Sequence, residues 1–182
     1  REVLHVSDEE GEASSGVKLE WELSESLLEK RLQKLTEENG GTTPHLLITG
    51  YVASTVSGIA TTLKRDGSDY SASIFAKMLR AETVTIWTDV SGVYSADPRR
   101  VPEAQIIPDV TYSEAIELAY FGAKVIHPKT MAPAIMGDIP IYIRNTFQPT
   151  DPDTKIHHPI VLDEGATKKI GNTQAVCGFS SI

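Results

Sequence analysis

The 182 residues suffice for one domain of ordinary size with its own core. Hydrophobic residues make up 40% and charged residues 23%, which excludes a disordered chain, and no apolar run reaches the ~18 residues of a membrane span. The net charge of −8 makes the chain a poor partner for nucleic acid, whose phosphates need clustered Lys and Arg.

The chain opens on Arg1-Glu2-Val3-Leu4, without Met or an apolar leader, and an internal start is expected. Residues 7–16, rich in Ser, Asp, Glu and Gly, read as a loop. Leu23, Leu27, Leu28, Leu32 and Leu35 make one apolar stripe, which predicts a helix over 24–38 capped by Ser24 and ended by Asn39-Gly40-Gly41. The apolar run 45–50 suits a buried strand, and 51–67 reads as irregular. A helix is expected over 68–81, then a strand of β-branched residues over 83–88. Thr111-Tyr112-Ser113-Glu114 has capping-box spacing, so a helix should begin near Ser113, and another is expected around 130–136. Residues 140–144 read as a strand with Pro140 at its start. Pro149 and Pro152 suggest a boundary within 148–155, the polar stretch beyond reads as a linker, and 176–182 as a strand opening a further region. Strands alternating with helices predict an α/β fold with a mainly parallel central sheet.

Three segments carry chemistry. In Thr61 to Tyr70 a loop with Lys64 and Arg65 runs into a helix start, where free N–H groups and the helix dipole favour an anion. Arg65 offers a planar fork for carboxylate or phosphate, and Asp69 is either functional or a dipole partner. In Trp87 to Arg100 a polar pair, Thr88-Asp89, ends a strand where open α/β sheets bind ligands. Tyr94, Arg99 and Arg100 follow; an ordinary turn-rich connector is the alternative. In Tyr120 to Pro128, Lys124 is either a phosphate contact or a cation placed for the helix dipole. His127 has no second ligand at metal spacing and reads as structural. The single cysteine, Cys177, rules out an internal disulfide and reads as a small apolar residue.

These segments, TTLKRDGSDY, WTDVSGVYSADPR and FGAKVIHP, resemble the aspartate kinases of the amino acid kinase family, in the same order and over roughly residues 45–155. Asp138-Ile139-Pro140 and Arg144-Asn145-Thr146 fit as well, and the wording is most like the aspartate kinases fused to homoserine dehydrogenase. Residues 176–182 resemble the strand that opens the regulatory ACT region of those enzymes. The resemblance implies a three-layer α/β sandwich, with a partial catalytic domain over 1–155, a linker over 156–175 and the start of an ACT region over 176–182. It implies transfer of a phosphoryl group from ATP, with Mg2+, to L-aspartate, giving 4-phospho-L-aspartate. Arg65 would bind a carboxylate of aspartate, and Asp69, the candidate catalytic residue, would orient the cationic groups that hold the phosphates. Thr88 and Asp89 would contact the nucleotide, Tyr94 and Arg99 would line the ATP site, and Lys124 with Val125 would complete it near the phosphates. No resident metal ligand follows, and NADP would serve only a fused dehydrogenase part outside this chain. The resemblance also implies a homo-oligomer with neither nucleic acid nor membrane as partner, in the bacterial cytoplasm or, for a plant protein, the plastid stroma.

One departure is large. The family opens with a strand carrying a lysine and a glycine-rich phosphate cradle, and nothing in residues 1–44 matches it. The chain on its own is therefore expected to lack kinase activity and to fold marginally. A non-catalytic nucleotide-binding or regulatory chain, and a glutamate or uridylate kinase of the same family, are the alternatives.

Overall fold

The computed structural model describes residues 2–7, 17–64, 67–120, 126–159 and 175–179, the last by backbone alone. They divide into two compact units, Arg1–Gly67 and Ser68–Ile182.

The first unit contains β1 (His5–Val6), α1 (Trp21–Glu38), β2 (Val52–Thr55) and β3 (Ala60–Thr62). β1 lies parallel to β2, and β2 and β3 form an antiparallel hairpin with Val52 opposite Thr62. The stretch expected to be irregular thus holds a hairpin. Its turn is closed by Gly58, whose N–H donates to Thr55 C=O at 2.9 Å, while Ile59 N–H donates to Thr55 Oγ1 at 3.0 Å. Gly58 has φ +88°, which a side chain would resist. The strand expected at 45–50 does not form. Leu46, Leu47 and Ile48 are exposed, because β1 and β3 pair with the chain only from Val52 onward. α1 starts at Trp21, before Ser24. Ser24 is therefore no cap; it is buried, and its Oγ accepts the N–H of His5 at 3.0 Å. Of the leucine stripe, Leu28 is buried, Leu27, Leu32 and Leu35 are half-buried, and Leu23 is exposed. Asn39-Gly40-Gly41 ends the helix as expected, Gly41 N–H donating to Thr36 C=O at 2.8 Å.

The second unit contains α2 (Gly67–Leu79), β4 (Thr83–Thr88), β5 (Asp109–Thr111), α3 (Tyr112–Tyr120), α4 (Pro128–Met136), β6 (Ile141–Asn145), β7 (Thr154–His157) and β8 (Ala175–Phe179). The sheet order is β5-β7-β6-β4-β8. Every pairing is parallel except β6 with β7, so this unit is α/β with a mainly parallel sheet, as the sequence predicts. β7 forms where a boundary was expected, and the strand expected from residue 176 forms as β8, paired with β4.

Alternation explains the core. Val84 and Ile86 of β4, Ile141 and Ile143 of β6, and Ile156 of β7 are buried with Ala72 and Ala76 of α2, Ala115 of α3, and Met131 and Ala134 of α4. Each fully buried isoleucine contributes about 1.5–3 kcal/mol, and the small alanines let the helices approach closely. The capping box forms as its spacing predicts: Thr111 N–H and Oγ1–H both donate to Glu114 Oε2 at 2.7 Å, and Glu114 N–H donates back to Thr111 Oγ1 at 3.3 Å. α4 begins with Pro128 at its first turn, where a missing N–H costs nothing, and His127 Nδ1 accepts the N–H of Lys129 at 3.2 Å. His127 is thus structural, as expected. Tyr112 donates its hydroxyl to Ile139 C=O in the interior, and burial keeps the phenol protonated far above its usual range.

Candidate functional site

β4 and β6 run parallel and finish together. Thr88 and Asn145 are opposed in the register, and Thr146 N–H donates to Thr88 C=O at 2.8 Å. The loops that follow therefore leave the carboxyl edge side by side, where open α/β sheets bind ligands. Thr88 is half-buried at this edge and donates its hydroxyl to Asp89 Oδ1 at 3.2 Å; Asp89 is exposed.

After half-buried Val90 the chain turns inward. Ser91, Gly92 and Val93 are buried. Gly92 is needed here because a Cβ on it would lie 2.4 Å from Thr154 Oγ1. That hydroxyl is central to the base of the loop: it accepts Val93 N–H at 2.8 Å and donates to Ile107 C=O at 2.7 Å. Above it the chain runs as an irregular hairpin, with Tyr94 bridged to Ile106 and Ser95 N–H donating to Gln105 C=O at 2.8 Å. Tyr94 is half-buried along this bridge.

At the exposed tip, Asp97 organises the arginines. Its Oδ1 accepts Arg99 N–H at 3.0 Å and Arg99 Nε–H at 3.4 Å, and its Oδ2 lies 4.0 Å from Arg100 Nε. The Arg99 backbone N–H, then its guanidinium and that of Arg100, hold the Asp97 carboxyl below its usual range. Arg99 is exposed, so Asp97 keeps its fork at the tip of the loop, free to swing at little cost.

A polar chain lies behind the strand ends. Asn145 Nδ2 donates to Ser91 Oγ at 3.0 Å, and Ser91 Oγ donates to Asp151 Oδ2 at 2.9 Å. Asn145 Oδ1 accepts Phe147 N–H at 2.9 Å. Sequence reasoning assigned no role to Ser91, Asn145, Asp151 or Thr154. Ser91 lies 54 positions from Asn145 and 60 from Asp151, and Val93 lies 61 from Thr154, so the fold rather than the sequence brings these partners together.

Asp69 lies on another element, in the first turn of α2, within 3.5 Å of Ser68 Oγ. The neighbouring Tyr70 is buried, and Lys129 Nζ stands 4.9 Å from its ring centroid. Burial pushes the Lys129 ammonium below its ordinary pKa and the Tyr70 phenol above its own. The structure thus groups Thr88 and Asp89 by a hydrogen bond, sets Tyr94 and Arg99 on the same loop, and leaves Asp69 on α2. Arg65, Lys124 and Val125 lie outside the described residues.

A cavity of about 310 Å³ lies elsewhere, lined by Ile107, Asp109, Val110, Glu114, Glu117 and Leu118. Its carboxylates suit a phosphate poorly. Among the described residues no three His, Cys, Asp or Glu group into a metal site, and no helix is long and apolar enough to cross a membrane.

The model of the amino acid kinase family matches residues 14–145. The bifunctional aspartokinase/homoserine dehydrogenase, chloroplastic, of Daucus carota is 55% identical over 128 residues, which are 70% of this chain and 14% of that protein. Lysine-sensitive aspartokinase 3 of Escherichia coli is 41% identical over 150 residues, 82% of this chain and 31% of that one. Among solved structures, E. coli aspartokinase III in complex with aspartate and ADP matches with a TM-score of 0.72 and 37% identity, covering 89% of this chain and 34% of its own. The chain therefore spans about a seventh to a third of the proteins it resembles.

Proposed function

The chain belongs to the amino acid kinase family, and from that premise we propose that it forms the nucleotide-binding wall of an aspartate kinase. The reaction transfers the γ-phosphoryl group of ATP to the side-chain carboxylate of L-aspartate, giving ADP and 4-phospho-L-aspartate. The observation that carries this reading is the joint ending of β4 and β6, with Thr88 and Asp89 at the edge and an arginine-bearing loop beside them. Phosphoryl transfer asks little covalent work of the protein. It needs in-line positioning, and positive charge where negative charge spreads in the transition state.

In this reading Thr88 and Asp89 hydrogen-bond the nucleotide, Tyr94 lies along it, and Arg99 leaves Asp97 to reach the phosphates. Lys124 with Val125 closes the same side, Arg65 binds a carboxylate of aspartate, and Asp69 orients the cations around the phosphates. Mg2+ generally takes one or two carboxylates plus substrate phosphates and waters, and in this reading it arrives with ATP. When bound, it would neutralise charge on the phosphates.

The bifunctional relative supports a parent fused to homoserine dehydrogenase, where NADP would bind outside this chain. Its chloroplastic name supports the plastid stroma over the cytoplasm. The parent enzyme would be a homo-oligomer, with a linker that begins only after β7, which takes in residues 156 and 157, and with 176–182 as the start of a regulatory region.

Calorimetric titration of the 182-residue chain with MgADP tests the nucleotide wall. Saturable binding is expected, with no aspartyl hydroxamate formed from ATP and aspartate by this chain alone. Absence of any binding heat from folded chain would remove the reading.

A further inference from the structure

Ser91 lies between two partners of opposite kind. An amide Nδ2 only donates and a carboxylate only accepts. The Asn145 amide is oriented by Phe147 N–H, which occupies its oxygen at 2.9 Å. The order is therefore fixed: Asn145 Nδ2–H donates to Ser91 Oγ at 3.0 Å, and Ser91 Oγ–H donates to Asp151 Oδ2 at 2.9 Å. Ser91 and Asn145 are both buried, and the relay ends on the exposed Asp151, whose charge strengthens the last hydrogen bond.

The relay joins three pieces of chain: the loop after β4, the last residue of β6, and the 146–153 connection. Ser91 stands two residues from Asp89 and three from Thr88. Its place sets where the β4 end presents both groups. We propose that Asn145 is a positioning residue for the nucleotide wall, acting through Ser91 and Asp151 to hold Thr88 and Asp89 in binding geometry. This deepens the aspartate kinase reading and rests on it.

The direction of the relay gives a test. Asn145→Asp keeps the side-chain volume and can still accept Phe147 N–H, but it cannot donate to Ser91. Two carboxylates then compete for one hydroxyl proton and repel each other. Adding Asp151→Asn reverses the relay: the new amide donates to Ser91 Oγ, and Ser91 donates to the new carboxylate at 145. Neither residue is placed on the nucleotide.

The experiment measures MgADP affinity by calorimetry on the 182-residue chain for wild type, Asn145→Asp, Asp151→Asn and the double variant. Each is assayed where circular dichroism shows it folded. Asn145→Asp is expected to weaken binding about tenfold, the cost of one charged hydrogen bond misplaced. The double variant should recover most of that loss. Equal affinity in wild type and Asn145→Asp, or a double variant weaker than Asn145→Asp, would overturn the positioning role while the nucleotide reading stands. If wild type itself binds no MgADP, both fall together. Ser91→Ala provides a second route: it removes both bonds and should weaken binding as Asn145→Asp does, and unchanged affinity there also overturns the proposal.

Discussion

Thr88 and Asn145 form the last opposed pair of the β4–β6 ladder, so two parallel strands stop at one level and their loops leave together. This is the geometry on which the proposed nucleotide wall depends. The hydrogen bond from Thr146 N–H to Thr88 C=O extends the ladder by one step and stiffens the edge.

Asp89 and Arg99 are exposed, so replacing either should leave stability nearly unchanged. Asp89→Ala and Arg99→Ala should each weaken MgATP binding by about tenfold or more, the worth of a charge-assisted hydrogen bond. Arg99→Lys should recover only part of the loss, since a point charge lacks the planar fork. Titration with MgATP beside a urea melt separates the effects. A shifted urea midpoint with unchanged affinity would contradict the assignment.

Thr154 closes the base of the loop with two backbone bonds. Thr154→Val keeps the shape but leaves Val93 N–H and Ile107 C=O without that hydroxyl. The expected cost is about 1–3 kcal/mol in urea unfolding. Gly92→Ala should cost a similar amount, because its new methyl meets the same hydroxyl. Gly92→Ala with Thr154→Ala should cost less than the sum, since the second change removes the clash. Strict additivity would show that the contact does not matter.

Glu114 carries a pH dependence with a defined sign. Thr111 N–H, then its hydroxyl, hold the Glu114 carboxyl below its usual range. The folded state prefers the carboxylate. Its contribution is full above the ordinary glutamate pKa and is lost as pH falls through the lowered folded value. Wild type should therefore melt higher than Glu114→Gln at neutral pH, and the two should converge in acid. A gap that persists or widens in acid would show that the carboxylate is not the stabilising form.

Much of the second unit was legible because its signals are local. β4 matches its β-branched run residue for residue, and α3 begins where Thr111 and Glu114 predict a cap. Other features needed tertiary partners. Residues 45–50 carry a strand-like composition, yet Leu47 is fully exposed at 103%, because strand partners fall at 52–55. The β2–β3 hairpin was missed because β3 has only three residues and a Ser-Gly turn reads equally as irregular chain. β7 was hidden behind Pro149 and Pro152, which mark a turn correctly but say nothing of the strand after it. At the site, Thr88, Asp89, Tyr94 and Arg99 share one motif and could be read together. Ser91 meets Asn145 and Asp151 only through the fold, and no spacing rule reaches across 54 or 60 residues.

The most direct measurement of the central claim is a chimera. The portion of E. coli aspartokinase III that matches this chain would be replaced by this chain's own matching residues, and ATP-dependent aspartyl phosphate trapped as the hydroxamate. The account predicts hydroxamate with L-aspartate, and its loss in the same chimera with Asp89→Ala and Arg99→Ala. A folded chimera that binds MgADP but forms no hydroxamate with L-aspartate would contradict it.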